Sequence, residues 1–427
     1  MKQKLFTRYE VFIIAILTIL QFTIILDFMV LSPLGVILMP TLKITTAQFS
    51  VVVSAYAISA GVAGLLTAGF ADKFDRKKLL LFFYTGFIIG TLLCGIATTY
   101  NFLLMARIVT GLFGGVISSI GFAIIADLFR MEVRGRVMGF VQMAFASSQV
   151  LGVPIGFYMS YKWDWHFPFL LIVGISVIAY ILVIVYMKPI NAHLRLKSDK
   201  NAFQHIGKAF SKSNYLKAFA ATTLLATGGF MLMPFGSAFS THNLGLNNDQ
   251  VTLLYVITGL FSMGTGPFVG KLSDSIGKYT IFFWGTMLSI AVVIFYVNLG
   301  ITPFYVVTIV SILMFTGVSS RIIASSALMT AVPEPADRGV FMSINSSVQQ
   351  ISGGIAAFIA GQIVVERIDK SLDRYDLLGY TVVGTMLISA LLMYFIHLQV
   401  ERKTKEVKNN PSAPVTSAAA AEGASVH

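Results

Sequence analysis

Asp27 is the acidic residue whose position points most directly to chemistry. It lies deep in an apolar run that extends from Val11 to about Leu38, and none of the other 18 Asp and Glu residues is placed in this way. A charged carboxylate inside a long apolar segment costs several kcal/mol unless it is paired, hydrated or neutralised. Two interpretations follow: a site that takes up and releases a proton, or a structural pair with an arginine.

Two arginines also interrupt apolar runs. Arg107, in the run 101–126, is the candidate partner of Asp27, because their expected depths differ by roughly 8 Å at 1.5 Å per residue, within the reach of an arginine. Arg321, in the run 303–330, has no matching carboxylate in any apolar run of the second half. It is a counter-charge for an anionic substrate, an inner-gate element, or a side chain that extends to the membrane interface.

Polar and small residues recur along two further apolar runs and add candidate binding residues. Helices that face a water-filled path need such residues, and so do tightly packed helices, because small side chains let backbones approach. Two aromatic residues are added as candidate walls of an apolar pocket. The substrate-cavity candidates besides Arg321 are Tyr56, Gln142, Gln149, Phe230, Asn345 and Gln349.

The composition excludes a water-soluble enzyme. Of 427 residues, 56% are hydrophobic and 12% are charged, whereas soluble domains carry about 25% charged residues. The sequence has no P-loop and no His-Glu-x-x-His motif, and its single cysteine, Cys94, cannot support a thiolate metal cluster. We expect no enzymatic activity, no cofactor and no metal site, so transport would draw on an ion gradient or on the solute's own gradient.

The apolar residues are gathered into blocks that are long enough to cross a bilayer as helices. We therefore predict an all-α polytopic membrane protein with twelve transmembrane helices, arranged as two pseudo-symmetric six-helix bundles. The blocks cover residues 11–38, 48–71, 79–98, 101–126, 135–160, 167–188, 215–238, 250–271, 279–297, 303–330, 340–364 and 376–398.

Lysine and arginine residues favour one orientation of these spans. An even number of spans places both termini on the same side of the membrane. With the termini in the cytoplasm, most of the 31 basic residues fall in cytoplasmic loops. The sequence thus predicts a multi-pass protein of the inner (plasma) membrane with cytoplasmic N- and C-termini. This arrangement accounts for the net charge of +12 without a nucleic-acid partner.

The two halves of the chain repeat a loop. Gly69–Lys78 (GFADKFDRKK) follows the second block, and Gly270–Lys278 (GKLSDSIGK) follows the eighth. Two six-span repeats are typical of secondary transporters, which bind substrate between the halves near the bilayer midplane. We predict bundles at 1–188 and 215–400, a cytoplasmic linker at 189–214 and a disordered tail at 401–427.

From about residue 8 to residue 400 these features resemble the major facilitator superfamily. The family's loop motif is Gly-x-Leu-x-Asp-Arg-x-Gly-Arg-Lys. The second copy here is the cleaner one, with Gly270, Leu272, Asp274, Gly277 and Lys278. The first copy keeps Asp72, Arg76 and Lys77 but departs from the motif at Ala68, Lys73 and Asp75. The Asp75 context is similar to the sugar-efflux and drug:proton antiporter branch.

Two further motifs are similar to that branch. Arg107 and Gly111 match its span-4 arginine motif. Span 5 contains Gly152, Pro154 and Gly156, although Val153 separates the usually adjacent Gly and Pro. The resemblance implies that Arg107 takes part in proton coupling together with Asp27.

The resemblance also implies a conformational lock in the cytoplasmic loops. Asp72 and Arg76, with Asp127 at the inner end of span 4, would form a charge cluster that links the halves and breaks when the protein opens inward. Asp274 holds the corresponding position in the second half. The alternative is that these residues only cap helices and set topology.

The sequence therefore predicts a secondary active transporter, most specifically a proton-coupled exporter (antiporter) of small amphipathic or sugar-like compounds that works by alternating access. We expect a monomer whose partners are a small-molecule substrate, protons and membrane lipids. One alternative is a solute-specific transporter or uniporter without proton coupling, in which Asp27 binds substrate. A receptor or scaffold is another, and the repeated loop motif argues against it.

Overall fold

The computed structural model describes residues 6–67, 73–191, 210–334 and 338–409, together with the single residues 194 and 207. Long helices make up most of this part of the chain. The helices of the first half are α1 (Arg8–Val30), α2 (Gly35–Leu42), α3 (Thr46–Thr67), α4 (Arg76–Cys94), α5 (Tyr100–Leu128), α6 (Met131–Ser147), α7 (Val153–Lys162) and α8 (Phe167–Tyr186). The second half contains α9 (Ser213–Leu232), α10 (Asn248–Ile276), α11 (Lys278–Val297), α12 (Phe304–Ala331), α13 (Arg338–Ile363) and α14 (Tyr375–Asn409).

The helices confirm the predicted all-α, polytopic architecture. Within the described residues, eleven helical segments are long and apolar enough to cross a membrane. α13 is a further long helix of 26 residues. Its polar residues lower its hydropathy, but at 1.5 Å per residue it reaches about 39 Å, enough to span a bilayer.

A short antiparallel hairpin marks one end of the bundle. Its strands, β1 (Val365–Glu366) and β2 (Leu372–Asp373), lie between α13 and α14. We call this end the hairpin end, and we call the opposite end, where α1 begins and α14 finishes, the terminal end. Thr46 at the start of α3 donates a hydrogen bond to the Val364 carbonyl at 2.7 Å, so α3 also begins at the hairpin end.

The first predicted span, 11–38, is not one continuous helix. α1 ends at Val30, a turn follows, and α2 begins at Gly35. Pro33 lies in this turn. Proline has no amide hydrogen, and its ring clashes with the carbonyl four residues earlier, so it favours a break or a kink in a helix at this point. The break places Asp27 close to the end of α1 rather than at the centre of a long span.

The seventh predicted span, 215–238, is likewise interrupted. α9 ends at Leu232, a single 3₁₀ turn covers Met233–Phe235, and a π-helical turn follows at Phe239–Asn243. Pro234 lies in the 3₁₀ turn and disrupts the regular hydrogen-bond ladder. The last helix is longer than its predicted span, because α14 continues past residue 398 to Asn409.

Between the two halves, α3 and α13 form the closest packing. Glycines allow the approach: a Cβ on Gly361 would lie 1.9 Å from Ser50 Oγ, and a Cβ on Gly354 would lie 2.6 Å from Ile58 Cγ1. Small residues of this kind let helix backbones pack tightly where lipid provides no hydrophobic driving force. The contact extends from the hairpin end to Gly64, whose Cβ would meet Ser347 Oγ at 2.9 Å.

α7 and α10 form a second contact between the halves, in the part of the bundle toward the hairpin end. Tyr161 at the end of α7 donates a hydrogen bond to Asp249 at the start of α10. Phe157 packs edge-on against Tyr255 with ring centroids 6.1 Å apart. Farther along α10, Gly270 has no heavy atom within 4 Å of a Cβ position. Both contacts join the halves at the hairpin end, and the α3–α13 contact continues along α3 to Gly64.

Candidate functional site

Asp27 and Arg107 form a buried ion pair. Arg107 Nη1 lies 2.8 Å from Asp27 Oδ2 and 3.4 Å from the Asp27 carbonyl oxygen. Both residues are 0% exposed. The structure thus shows the pairing expected from the sequence, while its role in proton coupling stays a prediction.

Three helices position this pair. Asp27 lies one turn before α1 ends, and Arg107 lies two turns into α5, which begins at the hairpin end. The 2.8 Å contact shows that the two side chains lie at similar depth. Thr91 of α4 donates a hydrogen bond to Asp27 Oδ1 at 3.2 Å. Sequence reasoning missed Thr91, and a hydroxyl in an apolar helix, one turn from its end, was the only signal for it.

Arg107 also contacts an aromatic ring. Its guanidinium carbon lies 4.5 Å from the centroid of the Tyr56 ring, and Tyr56 is 1% exposed. A cation over an aromatic face gains about 2 kcal/mol where both groups are desolvated. Arg107 Nε has no hydrogen-bond partner among the described residues. Asp27 and the Tyr56 ring therefore hold the arginine, and its Nε–H donor is unused among the described residues.

Aromatic side chains connect the pair to the second half of the chain. Phe28, the neighbour of Asp27, packs on Tyr56 with ring centroids 5.4 Å apart. Phe28 also packs on Phe230 of α9 with centroids 5.6 Å apart. Tyr56 and Phe230, both predicted as pocket walls, thus belong to one cluster. We call Phe28, Tyr56 and Phe230 the aromatic bridge; Phe28 was not predicted, although it adjoins Asp27 in sequence.

The remaining polar candidates take separate positions. Gln149 accepts a hydrogen bond from Ser262 of α10 at 3.2 Å, so it lies between the halves. Asn345 accepts one from Thr222 of α9 at 2.6 Å, within the second half. Gln142 and Gln349 are exposed. The structure therefore does not gather all predicted cavity residues around Asp27.

Arg321 lies apart from this site. It is 4% exposed, and its Nη2 donates a hydrogen bond to Ser389 Oγ of α14 at 3.2 Å. Its guanidinium carbon lies 5.9 Å from the centroid of the Phe282 ring. Both contacts belong to the second half, and the protein itself buries the side chain.

The glycine and proline motif of span 5 packs against α1. A π-helical turn at Ser148–Gly152 separates α6 from α7, and Pro154 is buried in the first turn of α7. A Cβ on Gly152 would lie 2.5 Å from Leu26, and a Cβ on Gly156 would lie 2.5 Å from Val30. These glycines therefore let the helix press on the turn of α1 that carries Asp27.

The predicted lock is described in part. Arg76 Nε lies 3.0 Å from Asp127 Oδ2, and Arg76 is 5% exposed, so α4 and α5 are joined at the terminal end. Asp72 lies outside the described residues, and the side chain of Asp274 is not described. Whether this cluster links the halves stays a prediction. Within the described part of the chain, no group of three or more His, Cys, Asp or Glu side chains could hold a metal ion.

Comparison with known proteins decides the family. The model of the Major Facilitator Superfamily matches residues 17–357, with a further match over 218–423. The chain belongs to the Major Facilitator Superfamily. It is a multi-pass membrane transporter and not an enzyme, and the family resemblance found in the sequence is confirmed.

Several curated superfamily members are similar to this transporter. The uncharacterized MFS-type transporter YbcL of Bacillus subtilis (strain 168) is 25% identical over 340 residues, which cover 79% of this chain and 83% of that protein. Multidrug resistance protein 3 of the same organism is 35% identical over 153 residues, which cover 36% of this chain and 30% of that protein.

Solved structures agree on the fold. A D-xylose-proton symporter superposes with a TM-score of 0.72 at 17% identity, covering 89% of this chain and 97% of that one. A bacterial homolog of the human lysosomal transporter Spinster, in an inward-facing and occupied conformation, superposes with a TM-score of 0.69 at 12% identity. That match covers 96% of this superfamily member and 100% of the Spinster homolog.

Proposed function

We propose that this transporter is a proton-coupled exporter that exchanges protons for small amphipathic or sugar-like compounds by alternating access. The observation that carries the proposal is the fully buried Asp27–Arg107 pair, which lies against an aromatic bridge that reaches the second half of the chain. An ionisable residue inside a membrane-spanning helix usually marks a functional site, because burying its charge destabilises the protein and such residues are otherwise rare.

Protonation of Asp27 changes what holds Arg107. In the ionised pair, the carboxylate neutralises the guanidinium at 2.8 Å. A protonated carboxyl group leaves the guanidinium as an uncompensated buried charge, which is costly, so the side chain must find another partner. Arg107 lies on one face of Tyr56, and Tyr56 packs on Phe28. Movement of Arg107 would therefore shift Tyr56 and, through it, Phe28, which contacts Phe230 in the second half.

We infer that the membrane orientation places the terminal end in the cytoplasm of the producing cell and the hairpin end outside. Basic residues concentrate in the loops of the terminal end, as the positive-inside rule requires. The contacts at the hairpin end, including Tyr161–Asp249 and Thr46–Val364, then represent the inward-facing state. Rocking of bundles 1–188 and 215–400 about these contacts exchanges access, with the aromatic bridge, Gln149 and Asn345 near the substrate path.

The names of relatives support export but do not identify a substrate. Multidrug resistance protein 3 of Bacillus subtilis and the efflux pump dotC of Dothistroma septosporum are, respectively, 35% and 33% identical to parts of this chain. The rival hypothesis, a uniporter whose substrate binds Asp27, is disfavoured because Asp27 is 0% exposed in this conformation.

Transport in proteoliposomes tests the proposal. The purified protein is reconstituted with ethidium or Hoechst 33342 as fluorescent amphipathic probes, and an imposed pH gradient drives the exchange. We expect uphill dye movement with wild-type protein and with Asp376→Asn, which replaces an exposed carboxylate of α14. Asp27→Asn resembles the protonated form, so it should still shift the melting temperature on dye binding but lose gradient-driven movement.

Two results would contradict the proposal. Uphill dye transport by Asp27→Asn at the wild-type rate would remove Asp27 from the coupling mechanism. Dye movement by wild-type protein that proceeds down its own gradient and ignores the pH gradient would favour the uniporter. A thermal-shift screen over sugars and drugs, run in parallel, identifies a replacement probe where neither dye binds.

A further inference from the structure

A cavity of about 900 Å³ lies at the terminal end of the second half. Its described lining residues come from the N-cap and first turns of α9, from the segment after α12 and from the last turns of α14. A space of this volume accommodates a small organic group. The cavity is separate from the Asp27–Arg107 pair, which lies in the first half, and the proposed coupling mechanism does not use it.

The charged residues that line the cavity are mostly basic. Among the described lining residues, Lys212, Lys217 and Arg402 stand against one carboxylate, that of Glu334. Lys212 is engaged, because its Nζ lies 3.3 Å from Glu334 Oε2 and 5.0 Å from the centroid of the Tyr215 ring. Lys217 and Arg402 are exposed, and neither side chain makes an ion pair or a hydrogen bond with another described residue. The cavity therefore offers two cations to an anionic group.

The same cavity has an apolar side on α14. Leu392, Phe395 and Leu398 line it, and Phe395 is 51% exposed. α14 begins at the hairpin end with Tyr375, so Phe395 lies about 30 Å along the helix and Arg402 about 40 Å. The hydrocarbon core of a bilayer is about 30 Å thick, and the bilayer with its headgroup regions about 40–45 Å. The cavity therefore spans the boundary between lipid chains and lipid headgroups.

We propose that this cavity binds the headgroup of an anionic phospholipid from the leaflet at the terminal end, with phosphatidylglycerol as the probe. The lipid phosphate accepts hydrogen bonds from Lys217 and Arg402, and the start of an acyl chain packs on Phe395. Such charge-assisted hydrogen bonds are the stronger kind, and basic pockets between membrane helices suit anionic headgroups. The bound lipid links the start of α9 to the last turns of α14, and its binding does not depend on the proposed proton coupling.

An inorganic phosphate ion has the same anionic chemistry as the lipid headgroup. The apolar side formed by Leu392, Phe395 and Leu398 favours the lipid, because a free ion gains nothing from covering apolar surface. Inorganic phosphate and glycerol 3-phosphate are therefore tested beside phosphatidylglycerol. We expect neither to stabilise the protein at concentrations at which phosphatidylglycerol saturates. Equal stabilisation by either soluble anion overturns the assignment to a lipid.

Lipid binding to the purified, delipidated protein in dodecyl maltoside tests the cavity. Dioleoyl phosphatidylglycerol is compared with dioleoyl phosphatidylcholine, which has the same chains and phosphate but no net charge. Native mass spectrometry measures the bound fraction, and the melting temperature reports stabilisation of the folded state. We expect wild type to prefer phosphatidylglycerol. Lys217→Gln combined with Arg402→Gln should weaken that binding about 25-fold, which is about fivefold for each basic residue removed.

A matched control removes the same two residue types from the same end of the molecule. Arg130, which follows α5, and Lys271 of α10 are exposed, and neither lines the cavity. Arg130→Gln combined with Lys271→Gln changes the net charge equally. A loss of general attraction between basic loops and anionic lipid would appear in both double variants, whereas loss of the site appears only in the cavity variant. We expect the control to bind phosphatidylglycerol like wild type.

Photocrosslinking locates the lipid on wild-type protein, which keeps the test decisive where a variant unfolds early. Phosphatidylglycerol with a photoreactive headgroup should label peptides at the start of α9 and the end of α14. The proposal is overturned by labels confined to other helices, or by equal affinity of wild type for the two lipids. Equal phosphatidylglycerol affinity in wild type and the cavity variant would also overturn it.

Discussion

At the scale of single residues, two arginines in apolar helices have different environments. Arg107 is neutralised by Asp27 and lies over Tyr56, whereas Arg321 meets only a hydroxyl group and an aromatic ring among the described residues. A paired charge is a candidate switch, because one proton removes the pairing. Arg321 has no carboxylate partner among the described residues and lies between a serine hydroxyl and a phenylalanine ring instead.

Tyr56 is expected to transmit the state of the ion pair. Tyr56→Phe keeps the ring over Arg107, while Tyr56→Leu removes it together with the contact to Phe28. We expect proton-driven dye transport to fall about tenfold in Tyr56→Leu, in line with the loss of a buried cation–π contact, and to stay near wild type in Tyr56→Phe. Initial rates in proteoliposomes provide the measurement. Equal rates for the two variants would show that the ring has no part in coupling.

Sequence reasoning reached the Asp27–Arg107 pair because charged residues in apolar runs are rare and costly. It missed Thr91 and Phe28, since neither a threonine nor a phenylalanine is unusual in such a run. It also left three roles open for Arg321, because the direction of a side chain depends on packing against α11 and α14. Residue type was thus sufficient to find the charges but not their neighbours.

At the scale of elements, the positions of the helices follow from the apolar blocks, and their interruptions follow from proline and glycine. Pro33 and Pro234 end regular helix at the hairpin end, where the two halves meet. The π-helical turn at Ser148–Gly152 was not predicted, because a one-residue insertion leaves no mark on hydropathy. Gly361 allows the close packing of α3 on α13.

Gly361→Ala should open the hairpin end. The added Cβ would lie 1.9 Å from Ser50 Oγ and 2.9 Å from the Thr46 carbonyl oxygen, so α3 and α13 must separate. Spin labels at Thr41 and Ile368, with Cys94 replaced by Ser, report the separation of the halves by pulsed electron resonance. We expect a larger population at longer distance than in wild type at the same pH.

Gly384→Ala on α14 is the matched control, because a Cβ there meets no heavy atom within 4 Å. It should leave the distance distribution between the two labels unchanged. An unchanged distribution in Gly361→Ala as well would mean that α3 and α13 adjust without separation. The contact at Gly361 would then not control the opening of the hairpin end.

At the scale of the whole molecule, the proposed mechanism requires a proton to bias the equilibrium between two conformations. One unit of difference in the pKa of a group between two conformations corresponds to about 1.4 kcal/mol. A difference of two units therefore shifts the ratio of inward-facing to outward-facing protein by about 100-fold. The superfamily architecture provides the two states, while the specific residues decide which ion drives the exchange.

The central claim, that Asp27 exchanges a proton as the protein changes conformation, is tested most directly by infrared titration of the purified transporter. Asp27 is 0% exposed, so its protonated carboxyl group should absorb infrared light at a different frequency from the exposed carboxylic acids. We expect wild type and Asp376→Asn to gain this carboxylic-acid band as the pH falls, and the distance between labels at Thr41 and Ile368 to change with the same midpoint. Asp27→Asn should lack both changes. Identical bands and identical distance changes in wild type and Asp27→Asn would contradict the account.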